Sequence, residues 1–172
     1  MISADNHIRR RTLFGVLFLA FIGGTAYLPA QNVLPLDRSG ISSLIEQRNG
    51  KILVLNIWAT WCQPCKEEFP DLMLLSDSLR DDNVDVIALS VDFPDEIDSK
   101  IIPFLTAMGS RLKVYVADVD SQDEMFALFS AEWSGAIPAT FIFDPSGKER
   151  KALIGKKSYA EFLKAVMEVR RQ

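Results

Sequence analysis

Val54-Leu55-Asn56-Ile57-Trp58-Ala59-Thr60-Trp61-Cys62-Gln63-Pro64-Cys65-Lys66-Glu67-Glu68-Phe69-Pro70 joins an apolar run, two cysteines and the start of a helix. Residues 51–58 are nearly all apolar, as a strand buried on both faces requires. Beyond the cysteines, Phe69, Leu72, Leu75 and Leu79 recur at helical spacing and mark a buried face. Pro70 falls inside that helix and predicts a kink. Cys62 and Cys65 are the only cysteines of the chain. Residues three apart on a first helical turn share a face, so the two sulfurs can bond. Free backbone N–H groups and the positive end of the helix dipole there stabilise a thiolate at Cys62. Pro64 suits the first turn, where its missing N–H has no intrahelical partner to lose. The expectation is that Cys62 is an exposed attacking thiol and that Cys65, one turn deeper, resolves the mixed disulfide.

The pattern on either side alternates strands with helices. Residues 31–38, containing Pro35, read as a linker. Ser39 is placed to cap a helix whose face is Ile41, Leu44 and Ile45, and Asn49-Gly50 ends it. Residues 84–91 form a second buried strand. Residues 95–109 read as a helix, and a cap at Ser99 puts Pro103 in its first turn. Asp92, Asp95, Glu96 and Asp98 read as charges at that helix start rather than as a partner-selecting patch. A strand at 113–117 and a helix at 121–130 follow. Residues 139–143 and 148–154 make a hairpin about Asp144-Pro145-Ser146-Gly147. Ser158 with Glu161 three residues on is a capping box, opening a helix with Phe162, Leu163, Val166 and Val169 inward. This order predicts an α/β fold, a central mixed sheet flanked by helices, with the cysteines at the carboxyl end of a parallel strand.

Charge and the N-terminal segment bound the setting. Arg9, Arg10 and Arg11 against Asp5 give residues 1–30 a net of +2, within a total of −4, so the remainder carries −6. An acidic body excludes a nucleic-acid partner, which demands a basic face. Residues 12–28 are free of charge and mostly apolar. They suit either a short membrane span or the core of a signal peptide, with Gly24-Thr25-Ala26 or Leu28-Pro29-Ala30 as the cleavage site. Arginines ahead of the apolar run stay in the cytoplasm, which places the body outside. The expected organisation is residues 1–30 as signal peptide or membrane anchor, 31–38 as linker and 39–172 as one domain.

Other uses of the cysteine pair fit the residues less well. Zinc needs four ligands, and the sole histidine, His7, lies in the tail, so no metal site is expected. Covalent haem needs a histidine after the second cysteine, where Lys66 stands. An inert structural disulfide remains open for an exported protein, but a strand–helix junction favours redox work.

The quoted stretch resembles the TlpA/ResA-type membrane-associated thiol–disulfide oxidoreductases of the thioredoxin superfamily. The resemblance continues through Ile137-Pro138-Ala139-Thr140-Phe141-Ile142-Phe143-Asp144-Pro145-Ser146-Gly147-Lys148 and so frames most of residues 39–170. It implies a thioredoxin-like fold with residues 113–130 as a strand–helix insertion before a cis-proline at Pro138. It implies an enzyme that reduces protein disulfides outside the cytoplasm, apocytochrome c being one recurrent substrate. A membrane thiol-transfer protein would supply electrons, and the Cys62–Cys65 disulfide would need no further cofactor. Trp61, Gln63, Pro64, Ile137 and Pro138 become the expected substrate-contacting residues, with the backbone of Ile137 pairing with the substrate chain. Thioredoxin has a buried aspartate where this chain has Asn56, and asparagine cannot take a proton from Cys65. The ResA-like pattern has a glutamate three residues after the second cysteine, where Glu68 stands. Read without the resemblance, Glu68 is a surface charge near a helix start. With it, Glu68 becomes the third catalytic residue beside Cys62 and Cys65.

Two other functions remain as alternatives. A thiol peroxidase of the same superfamily needs threonine or serine three residues before its reactive cysteine, where this chain has Ala59. A non-catalytic copper-binding or assembly module would use the two soft thiolates without turnover.

Overall fold

A computed structural model describes residues 32–129 and 133–172. The readings of residues 1–30 as signal or anchor lie outside the described residues. Among the described residues no helix is long and apolar enough to cross a membrane.

Six strands form one mixed sheet in the order β1-β4-β3-β2-β5-β6, with β1 Leu34–Leu36, β2 Ile52–Trp58, β3 Val84–Ser90, β4 Lys113–Ala117, β5 Ala139–Phe143 and β6 Glu149–Ile154. β1, β4, β3 and β2 run parallel, β5 pairs antiparallel with β2, and β6 pairs antiparallel with β5. The helices are α1 Arg38–Glu46, α2 Gln63–Ser78, α3 Ile102–Ala107, α4 Gln122–Phe126 and α5 Tyr159–Arg170. This is the α/β arrangement expected from the alternating pattern.

β2 is central, and all seven of its residues are buried. Successive side chains of a strand point to opposite faces, so β2 serves two cores. Ile52, Val54 and Trp58 pack with Phe69, Leu72 and Leu75 of α2 and Phe162 and Val166 of α5. Leu53, Leu55 and Ile57 pack on the other face with Ile41, Ile45, Met125, Trp133 and Phe141. Trp133, which carried no assignment in the sequence, meets Phe126, Phe129 and Phe141 ring to ring. Gly135 beside it has φ +85°, and a Cβ there would come within 2.6 Å of the Phe126 ring. Only glycine therefore fits.

Several local readings are corrected. The stretch read as linker contains β1, whose Pro35 is tolerated because β1 is an edge strand. Asp37, not Ser39, caps α1, accepting from the Gly40 N–H at 2.7 Å. The helix read over 95–109 is instead a 3₁₀ turn Pro94–Glu96, a π turn Ile97–Ile101 and then α3. Ser99 lies inside the π turn, while Pro103 does fall in the first turn of α3. The helix read over 121–130 is the shorter α4, capped by Ser121. α2 runs on through Pro70. The hairpin turn at Asp144 and the pairing of Ser158 with Glu161 stand as read.

Candidate active site

β2 ends at Trp58, and Cys62 is the N-cap of α2. Cys62 and Cys65 are disulfide-bonded, with Cα atoms 5.3 Å apart. The Cys65 N–H donates to Cys62 Sγ at 3.2 Å. This is an otherwise unpaired first-turn donor aimed at the sulfur, the arrangement that favours a thiolate. Pro64 sits beside it in the first turn, and Gln63 is exposed and donates to Glu67. The expected exposure of Cys62 is corrected in degree. It is 5% accessible against 1% for Cys65, so both are largely covered and Cys62 is the more reachable. Trp61 beside it is 65% exposed, whereas Trp58 is in the core.

The Ile137–Pro138 peptide bond is cis. The β2–β5 register sets Ala139 opposite Ile57, so Pro138, one residue earlier, comes level with the end of β2 where the cysteine loop departs. The Pro138 carbonyl accepts from Gly155 N–H at 2.8 Å, which ties this corner to the end of β6. Ile137 and Trp61 line a cavity of about 540 Å³ together with Val91, Phe93 and Trp133. Asp118 and Asp120 stand in the same wall.

Asp92 overturns its reading as a helix-start charge. It is 2% exposed, and its carboxylate accepts from Thr60 N–H at 2.8 Å, Thr60 Oγ1 at 2.7 Å and Ser90 Oγ at 2.6 Å. The loop before Cys62 is thereby fastened to the end of β3. Nothing in local sequence separates this aspartate from Asp95 or Asp98; its burial comes from the parallel pairing of β2 and β3. Phe93, exposed at the cavity edge, was equally unmarked.

Glu68 is buried, not a surface charge. Its Oε1 accepts from Asn56 Nδ2 at 2.7 Å and its Oε2 from the Lys157 N–H at 2.8 Å. Asn56 Nδ2 also donates to Thr140 Oγ1 at 2.9 Å. Burial pushes the Glu68 carboxyl above its ordinary range, and the two N–H donors pull partly against it. An asparagine in an otherwise apolar buried strand was the available signal for this network, since a buried amide must find partners. By contrast, Glu67 is exposed and paired with Lys156, which lowers its carboxyl below the usual value. Among the described residues no group of three or more His, Cys, Asp or Glu side chains comes together as a metal site.

The arrangement supports disulfide exchange: the more reachable of two largely covered sulfurs at a helix start, its partner three residues on, and a buried carboxylate one further turn along. Residues 30–152 match the AhpC/TSA family. The chain is 30% identical to the thiol-disulfide oxidoreductase ResA of Bacillus thuringiensis (strain Al Hakam) over 129 residues, 75% of this chain and 69% of that one. It is also 30% identical to the thiol:disulfide interchange protein HelX of Rhodobacter capsulatus over 122 residues, 70% of this chain and 61% of that one. Among solved structures, a thiol:disulfide interchange protein of the thioredoxin family from Chlorobium tepidum TLS superposes with a TM-score of 0.59 at 23% identity. That match covers 74% of this chain and 83% of the other, and it shows the thioredoxin-like fold.

Proposed function

The chain belongs to the AhpC/TSA family as a thiol–disulfide oxidoreductase of the ResA kind, and we propose that it reduces protein disulfides outside the cytoplasm, those of apocytochrome c among them. The observation that carries this reading is the Cys62–Cys65 disulfide at the start of α2, on the loop that leaves the end of β2 level with Pro138.

The reaction follows from two exchanges. In the reduced protein the Cys62 thiolate attacks one sulfur of the substrate disulfide. A Cys62–substrate disulfide forms, and the other substrate sulfur leaves as a thiolate and takes a proton. Cys65 then loses its proton and attacks Cys62 Sγ, which forms the Cys62–Cys65 disulfide and releases the second substrate thiol. The substrate gains two electrons and the cysteine pair loses them. A dithiol of a membrane thiol-transfer protein restores the pair, and no cofactor beyond the disulfide enters. Glu68 receives the Cys65 proton, because a covered thiol has a raised pKa and attacks slowly unless a base accepts its proton.

Trp61, Gln63, Pro64, Ile137 and Pro138 form the substrate-contacting surface in this reading. The exposed Trp61 ring and the cavity beside it offer apolar contact to an unfolded chain, and the backbone at Ile137 offers strand-like pairing. The arginine-led apolar segment before residue 30 supports an extracytoplasmic site, as signal or anchor. The thiol peroxidase alternative is disfavoured, because Ala59 occupies the place of its hydroxyl and the Thr60 hydroxyl is held by Asp92.

The deciding measurement is the reduction potential of the Cys62–Cys65 pair against glutathione, with fractionation of cells expressing the full chain. A reductase is expected well below the ~−120 mV of a dedicated oxidant. A potential near that value overturns the direction, and recovery only from the cytosol overturns the location. Trp61→Ala is expected to raise KM for a protein disulfide while leaving reduction of a small disulfide unchanged.

A further inference from the structure

Glu68 is held at both oxygens by N–H donors from two different elements. Lys157, in the loop between β6 and α5, gives its backbone N–H to Oε2. Asn56, on β2, gives one N–H of its amide to Oε1. The other N–H of the same nitrogen goes to Thr140 Oγ1 on β5, and Asn56 and Thr140 face one another directly in the β2–β5 register. Asn56, Thr140 and Glu68 are all at most 2% exposed. The amide carbonyl, Asn56 Oδ1, is buried and has no hydrogen-bond partner among the described residues.

That orphaned carbonyl indicates which interaction governs the site. An unpaired buried acceptor is costly, and turning the amide over would bring Oδ1 to the Thr140 hydroxyl, which can donate. The same turn would set a carbonyl oxygen against the Glu68 carboxylate, two acceptors with no proton between them. The observed orientation keeps both N–H bonds and leaves the carbonyl bare. It is the orientation that an ionised Glu68 demands.

We propose that Asn56 is a positioning residue that sets how readily Glu68 takes up and releases a proton, with Thr140 orienting its amide. This rests on the reading of Glu68 as acceptor of the Cys65 proton, and it assigns to Asn56 a part other than that of the aspartate it replaces. The amide takes no proton itself. It donates to the ionised form of Glu68 and so opposes the effect of burial, which favours the neutral form. The other charged groups acting on Glu68 are few. Lys157 favours its ionised form, and Asp71, farther along α2, opposes it. Lys156 interacts with Glu68 from the same loop as Lys157 but is bonded to Glu67. Cys65, on Glu68's own helix, becomes titratable when the disulfide is reduced. Asn56 is thus the side chain that donates a hydrogen bond to Glu68, while the second donor is backbone.

The test is a titration of the Glu68 carboxyl by ¹³C NMR in the full chain with the disulfide closed, the signal being identified by its loss in Glu68→Gln. Asn56→Ala removes the donor, and Asn56→Asp replaces it with a carboxylate of the same shape. A hydrogen bond to a charged group is lost in the first case, so proton affinity is expected to rise about ten- to hundredfold. It is expected to rise further in Asn56→Asp, where two adjacent carboxylates cannot both ionise. Thr140→Val keeps the volume and frees the amide to turn, and it is expected to shift Glu68 in the same direction by less than Asn56→Ala. A Glu68 titration unchanged in all three variants overturns the proposal. The pH profile of mixed-disulfide resolution is recorded alongside. If the carboxyl moves and the profile does not, Asn56 tunes Glu68 as proposed, and it is the role of Glu68 as proton acceptor that fails.

Discussion

The Cys65 backbone N–H points at the Cys62 sulfur at 3.2 Å, so in the proposed exchange the resolving residue would also stabilise the attacking one. The donor belongs to the first turn of α2, where the dipole adds to the effect. The expected outcome is that alkylation of the reduced protein labels Cys62 before Cys65. Cys62→Ser abolishes turnover, whereas Cys65→Ser accumulates mixed disulfides through Cys62. Peptide mapping after a brief iodoacetamide pulse checks the order, and label appearing first on Cys65 reverses the assignment.

Glu68→Gln keeps the shape of the side chain and removes the carboxylate proposed to accept the Cys65 proton. Resolution of the mixed disulfide is expected to slow by roughly 10²–10⁴-fold, the range for loss of a general base. Glu67→Gln is the control, since its partners are the exposed Lys156 and Gln63 and it has no bond into the buried network. Stopped-flow measurement of the resolving step between pH 5 and 9 distinguishes the two. Parent-like rates in both variants would leave the Cys65 proton to solvent.

The same carboxyl carries a stability signature. Burial raises Glu68 in the folded chain above its ordinary value of 4.5, to which it returns on unfolding. Below 4.5 it is protonated in both states. Between that value and the folded one, only the folded chain holds the proton. Stability associated with this group is therefore complete at low pH and is lost as pH rises through the folded value, at about 1.4 kcal/mol for each pH unit of separation. Urea unfolding at a series of pH values is expected to show this decline in the parent and not in Glu68→Gln. Equal slopes in the two proteins would mean that Glu68 titrates normally.

Asp92 fastens the cysteine loop to β3 through Thr60 and Ser90. Asp92→Ala leaves buried donors without an acceptor and is expected to destabilise the fold by about 2–4 kcal/mol. Thr60→Val deletes only the hydroxyl bond and is expected to cost about 1–2 kcal/mol. Urea midpoints order the two variants, and a loss below about 0.5 kcal/mol for Asp92→Ala would place the aspartate among ordinary surface charges.

Much of the fold is legible in the amino-acid sequence. The apolar run at 51–58, the helical spacing of Phe69, Leu72 and Leu75, and the Asp144 turn each depend on residues within a few positions of one another, and each appears as read. Boundaries were less legible where one residue decides among several possible caps. Asp37 displaced Ser39, and the 3₁₀ and π turns from 94 to 101 replaced a helix start at Ser99. Phe93 and Trp133 carried no periodic signal at all, and only the cavity they share shows what they do.

By itself the sequence determined the α/β class and the redox pair, because helical and strand periodicity and the three-residue cysteine spacing are properties of contiguous chain. The tertiary structure alone decided which charges are buried and what they touch. Asp92 looks like its acidic neighbours until β3 pairs with β2 and encloses it beside Thr60. Glu68 looks like Glu67 until Asn56 from β2, itself bonded to Thr140 of β5, and Lys157 from the loop before α5 converge on it. Lys157 lies 89 positions from Glu68 along the chain. The proton affinity of a carboxyl depends on its solvation and on the donors around it in space, and neither is set until the distant segments have packed.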